Sequence, residues 1–307
     1  MNVTVGVADT KIRIRLLGEA ERARPLFDQY FDGYLCRAGK GDAELRIIVL
    51  AYPDKTLPLI KRGRLRMIEQ RLSTHDVAAW LEGIHHPIPD FPITETTIAS
   101  FFLNGLLLFN PDSSGGCILL KEGKGCHWPL YRLCWIYLAQ VLGERKGCFV
   151  HSAALVRNGG GYLFIGPSGA GKTTLARRFG GSMILSDESP VLREQGGDCF
   201  LFPSPYRQHG SLNGTGKDLI SLKAGLKGVY FLLKNQRTFL ENISKREALP
   251  LIMNRQILFI RHLSARARTH LFHLFLDICD RIRPYNLHVS LDQDIWEAIE
   301  ASDRRGT

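Results

Sequence analysis

A chain of 307 residues, 45% hydrophobic and 23% charged, can bury a sizeable core and has neither a disordered nor a fibrous composition. Its formal charge of +10, from 40 Lys and Arg against 30 Asp and Glu, suits anionic ligands or an acidic partner. Residues 1–8 resemble no signal or transit peptide, the apolar run 101–109 is too short and too polar to span a bilayer, and the seven cysteines include no CxxC pair. These features predict a cytoplasmic protein with reduced thiols and no membrane contact.

Residues 3–8 and 11–17 alternate apolar and polar positions and read as strands around Asp9 and Thr10. A helix is expected over 19–30, with Ala23, Leu26, Phe27 and Tyr30 on one face, and a strand over 45–51. Residues 52–92 are rich in Pro, His and basic residues and give no readable element beyond a short helix at Trp80 and Leu81. Within them, Lys61, Arg62, Arg64 and Arg66 form the densest basic cluster. It reads as a solvated face or as a docking surface for an acidic protein or peptide. No helix-turn-helix, finger or aromatic RNA-binding signature accompanies it, so nucleic acid is the weaker reading.

Residues 94–109 and 116–121 read as paired strands joined by the turn-rich 110–115. Cys117, Cys126, His127 and Cys134 lie near one another but lack the paired short spacings of a zinc site. A helix over 129–144 opens with proline in its first turn and runs directly into an apolar strand, 149–156. The domain boundary is therefore placed near 125, giving an N-terminal α+β domain (1–125), expected to recognise a partner, and a second domain (126–307). Asn158, Gly159, Gly160 and Gly161 signal a hairpin, so the strand carrying His151 is expected to pair antiparallel with the next. Downstream, strands are expected at 183–188, 191–192, 199–202, 228–233 and 287–291. Helices are expected at 244–253, 264–279 and 292–301.

The stretch Gly166, Pro167, Ser168, Gly169, Ala170, Gly171, Lys172, Thr173, Thr174 fits the phosphate-loop pattern GxxxxGK[ST]. It has a β-prone run (161–165) before it and a helix-forming run (175–179) after it. Glycines let successive backbone N–H groups turn toward phosphate oxygens. The helix N-terminus and Lys172 add positive charge, and the Thr173 hydroxyl can hold Mg²⁺. A nucleoside triphosphate or a close relative is the expected ligand. A magnesium ion needs a further hard oxygen, and Asp187, 15 residues after Lys172, ends an apolar run beside Glu188. Neither an LSGGQ stretch nor an NKxD motif is present, which excludes transporter-type ATPases and small GTPases. The adjacent acids suggest one carboxylate on the metal and one accepting the proton of an attacking hydroxyl. A further cation is expected to neutralise the transferring phosphoryl: Arg207, His209 and Lys217 are candidates, with Arg207 favoured.

His151 to Val156, the 166–175 loop and Leu185, Ser186, Asp187, Glu188, in that order, resemble the HPr kinase/phosphorylase family. The closest resemblance is to the HPr-kinase-related proteins found beside ribosomal-peptide maturation enzymes, over roughly residues 148–300. The resemblance implies an α/β fold with a phosphoenolpyruvate-carboxykinase-like P-loop core of mixed sheet and helices. It also implies ATP- and Mg²⁺-dependent phosphorylation of a serine hydroxyl on a peptide or small protein. By position, His151 lies near the terminal phosphates, Thr173 and Asp187 hold the metal, and Glu188 is the general base. Bifunctional members carry two aspartates where this chain has Asp187 and Glu188, which favours a kinase-only branch. Two rival readings are a nucleotide-dependent accessory or switch protein of a maturation complex, and a small-molecule kinase. A homo-oligomer is compatible with each.

Overall fold

The computed structural model describes residues 2–18, 24–36, 41–52, 69–70, 94, 96–102, 105–113, 115–121, 127–179, 183–205, 219–220, 222–290 and 292–303. The protein is a mixed α/β chain in two units. One comprises Met1–Gly6, Thr10–Val141 and Arg261–Ser264, and the other Val7–Asp9, Leu142–Ile260 and Ala265–Thr307. No described helix is long and apolar enough to cross a membrane.

The first unit is built on a seven-stranded sheet. Its strands are β1 (Asn2–Val7), β2 (Thr10–Gly18), β3 (Ala43–Tyr52), β4 (Glu69–Gln70), β5 (Ile98–Phe102), β6 (Gly105–Asn110) and β7 (Gly115–Lys121), in the order β1-β2-β3-β7-β6-β5-β4. The β2–β3 and β3–β7 pairs are parallel, whereas β7–β6, β6–β5 and β5–β4 are antiparallel. Residues 94–109, expected as one strand, are thus two, β5 and β6, paired with each other. Helix α1 (Arg24–Tyr30) covers the described part of the expected 19–30 helix, and α2 (His127–Glu144) matches the 129–144 pattern. Gly116 makes room for α2, because a Cβ there would meet the Leu133 side chain at 2.3 Å. Phe31 stacks on Trp135 with ring centroids 5.7 Å apart, and the Tyr137 hydroxyl donates to Glu44 O at 2.7 Å. The unit division falls at 141/142 and leaves most of α2 with the first unit, whereas the sequence reading joins it to the second.

The second unit holds a nine-stranded mixed sheet. Its strands are β8 (Gly147–Phe149), β9 (Ser152–Arg157), β10 (Gly160–Ile165), β11 (Met183–Ser186), β12 (Val191–Gln195), β13 (Asp198–Phe202), β14 (Ala224–Lys234), β15 (Phe239–Asn242) and β16 (Tyr285–Val289). The main path runs β11-β9-β10-β14-β13-β12-β8. The start of β14 pairs with β13 and its end with β16, and β15 completes that side. Helices α3 (Lys172–Phe179), α4 (Lys245–Arg255), α5 (Ala265–Arg281) and α6 (Ile295–Asp303) belong to this unit. Leu175 and Ala176 of α3 and Ile295, Trp296 and Ile299 of α6 pack with Leu155, Phe164, Tyr230, Leu232 and Leu287 in one core cluster. The expected strand 149–156 is broken. Chain direction changes at Val150 and His151, so His151 stands before β9 rather than within it.

Candidate functional site

Asn158 and Gly159 both take positive φ (50° and 76°), the two-residue turn that matches strand twist, and β9 returns antiparallel as β10. Ser152 lies opposite Ile165 in this pair, and Ala154 lies opposite Ser186 in the antiparallel β9–β11 pair. β10 and β11 therefore end at the edge where β9 begins. Three features meet there: the glycine loop after β10, the acid pair after β11, and His151 ahead of β9.

The loop needs its glycines for two reasons. Gly169 and Gly171 sit at φ of 80° and 95°, a region that costs an L-residue about 1–2 kcal/mol. Gly166 faces a close approach: a Cβ there would lie 2.8 Å from the Ala170 Cβ. Ala170 N donates to Pro167 O (3.1 Å) and Leu175 N to Gly171 O (2.8 Å), so the turn closes and α3 starts. Pro167, Ser168 and Gly169 are exposed, Ala170 is half-buried, and Thr173 and Thr174 lie in the first turn of α3, Thr174 exposed.

Lys172 is buried, with 7% of its surface exposed. Its ammonium donates to Gly166 O at 2.8 Å and Pro167 O at 3.1 Å, and lies 3.1 Å from His151 Nε2. An ammonium only donates, so the imidazole accepts at Nε2 and carries its proton on Nδ1. All three ammonium protons then have partners. Burial, then the Lys172 charge, holds the His151 pKa below its usual 6.5, which keeps the ring neutral near pH 7. Burial likewise lowers the Lys172 pKa, and the negative charge of Glu188 opposes that shift. Glu188 and the lysine thus feel each other electrostatically.

Asp187 is 6% exposed and Glu188 half-buried. The Ser186 hydroxyl accepts from Glu188 N (3.3 Å) and Ser189 N (3.0 Å), which turns the chain at the end of β11. Ser152 N donates to Glu188 O at 2.9 Å and Val150 N to Pro190 O at 3.0 Å. On the opposite flank, His151 N donates to Gln256 O at 2.7 Å, and Val150 bridges Ile257 antiparallel. Residues 150–152 are therefore held from both sides. Nothing in the sequence flags Gln256. It comes to His151 because α4, opened by a Ser244–Glu247 capping box, ends with Gln256 as its C-cap.

Lys172, the loop carbonyls of Gly166 and Pro167, and His151 are in contact, and Asp187 and Glu188 follow β11 at the same end of the sheet. Arg207, with His209 and Lys217, lies outside the described residues. Among the described residues no three His, Cys, Asp or Glu side chains cluster as a metal-binding group. Thr173 and Asp187, the expected Mg²⁺ ligands, stand at the start of α3 and just past the tip of β11.

The model of the SynChlorMet cassette protein ScmC family matches residues 130–302, more than half of the chain. The chain belongs to this family. The match spans β9, the glycine loop, the acid pair and α4, so every residue of the sheet-edge cluster falls within the family's own region. No curated protein matches the chain.

Proposed function

We propose that this protein is an ATP- and Mg²⁺-dependent phosphotransferase that phosphorylates a hydroxyl of a peptide or small protein. The observation that carries the reading is the meeting of a positive-φ glycine loop, a buried lysine and two carboxylates at one sheet edge. Membership of a cassette family supports a partner made by neighbouring genes, with a ribosomally made precursor peptide as the acceptor class. The resemblance to HPr kinases and to a phosphoenolpyruvate-carboxykinase-like core belongs to this proposal, supported by the antiparallel strand that leads into the loop.

The residues suit the ligands they would take. Backbone N–H groups of the 167–172 turn and the Lys172 ammonium would receive polyphosphate oxygens, and the Thr173 hydroxyl and Asp187 carboxylate are hard donors for Mg²⁺. The metal, when bound, supplies charge neutralisation on the phosphates. Lys172 would exchange its bonds to Gly166 O and Pro167 O for phosphate. His151 supplies a neutral acceptor that keeps the ammonium aimed at the loop. Glu188 would take the proton of the acceptor hydroxyl.

A test is transfer from γ-³²P-ATP to the precursor peptide encoded beside the gene. Labelled peptide with the wild-type chain, and none with Glu188→Gln or Lys172→Ala, is the expected result. Peptide left unlabelled by a wild-type chain that binds nucleotide overturns transfer. One observation favours the switch reading: the Lys172 ammonium is tied to two carbonyls of its own loop and to His151, bonds that nucleotide would have to exchange.

A further inference from the structure

The turn that carries the acid pair is also held from the side of β13. Strands β12 and β13 run antiparallel as far as Val191 opposite Phe202. The same register, carried on, sets Pro190 opposite Pro203 and Ser189 opposite Ser204, with Pro205 following. Proline has no N–H to donate, which removes ladder donors from both segments at this point. A side chain takes over: the Ser204 hydroxyl donates to Ser189 O at 2.6 Å. Both serines are buried, so water does not compete for this bond.

That bond completes the hold on the backbone of the turn. Glu188 N and Ser189 N both donate to Ser186 Oγ, at 3.3 Å and 3.0 Å. Glu188 O accepts from Ser152 N at 2.9 Å, and Ser189 O accepts from Ser204 Oγ. The N–H and C=O groups of Glu188 and Ser189 are thus all engaged, and three of these four bonds are made by serine hydroxyls. A ladder bond survives any ordinary side-chain replacement. A hydroxyl bond does not, which makes this turn sensitive to single substitutions that leave the sheet intact.

A group that accepts a proton works only within a narrow range of positions, and a displacement of about 1 Å can cost a hundredfold in rate. Resting on the phosphotransfer reading above, we propose that Ser204 is a positioning residue for that reaction: through Ser189 O it fixes the backbone from which the Glu188 carboxylate reaches the acceptor hydroxyl. Its bond is to the acid turn and not to the glycine loop. Loss of the bond therefore slows proton removal while nucleotide, held by the 166–172 loop and Lys172, binds as before. Ser186 acts on the same turn from the end of β11.

The experiment follows transfer from γ-³²P-ATP to the precursor peptide encoded beside the gene, using the full chain, alongside titration with the non-hydrolysable analogue AMP-PNP. Ser204→Ala is expected to lower kcat roughly 10- to 100-fold, the cost of a misplaced reacting group, with the AMP-PNP affinity and the KM for ATP unchanged. Ser204→Thr keeps the hydroxyl and is expected to recover most of the rate. Transfer by Ser204→Ala at the wild-type rate overturns the proposal. So does a loss of AMP-PNP binding in step with kcat, the mark of a serine that serves the fold alone. A Ser204→Thr chain that binds AMP-PNP yet is as slow as Ser204→Ala overturns it too. A wild-type chain that binds AMP-PNP and labels no peptide overturns the phosphotransfer reading, and this proposal with it.

Discussion

Lys172 carries two demands that pull apart. Its ammonium is buried, and its lowered pKa says that the charged form is worse solvated here than in water. A residue kept at such a site serves something other than stability. We expect Lys172→Met to leave the melting temperature unchanged or higher while weakening nucleotide binding roughly 10- to 100-fold, the worth of a hydrogen bond to a charged group. Calorimetric titration and thermal melts check the two halves. His151 gives a pH signature. Its folded pKa lies below 6.5, so in the window beneath 6.5 the unfolded chain binds a proton that the folded chain does not. Its contribution to stability is complete above about 6.5 and is lost as the pH falls from there toward the folded value. Melting temperature against pH is expected to decline in that window for the wild-type chain and to decline less for His151→Gln.

At the scale of elements, the hairpin, the glycine loop and α4 each depend on a local rule that a substitution can break. Gly166→Ala puts a Cβ 2.8 Å from that of Ala170, and neither partner is a flexible chain end. We expect it to reduce nucleotide affinity more than it reduces stability, because the strain falls on the loop. Ser244→Ala removes the cap of α4 and is expected to cost about 1 kcal/mol in urea unfolding, with a correspondingly lower midpoint. These same elements show what was legible in the chain. The antiparallel β9–β10 pair was readable from Asn158 and Gly159, because a two-residue turn dictates its own pairing. The glycine loop was readable because its conformation excludes side chains at Gly169 and Gly171. The break at His151 was not readable. An apolar run looks the same whether it is one strand or two, and this break is made by bonds to residues 188–190 and 256–258. Gln256 was invisible for the same reason, and β15 was missed because Phe239, Leu240, Glu241 and Asn242 show no sustained pattern over four residues.

For the molecule as a whole, the thiols divide by depth. Cys117, Cys134 and Cys148 are buried, and burial pushes their pKa values up, to about 12 for Cys117. Cys36 is half-buried. Because the thiolate is the nucleophile, native protein at pH 8 is expected to take iodoacetamide at Cys36 while those three stay unmodified until denaturant is added. Peptide mass spectrometry reads the difference. The +10 charge is a property of the same scale, and it favours capture of anionic ligands and acidic peptides at low ionic strength. One feature of the second unit bears on how such a protein can be retuned. The short run 150–152 is gripped by hydrogen bonds on each flank, from chain segments about 40 and 100 residues downstream. A change of length in either distant segment would tilt the imidazole at 151 without touching a motif residue. Relatives can therefore diverge in reactivity through edits to remote connecting stretches while their signature motifs read the same.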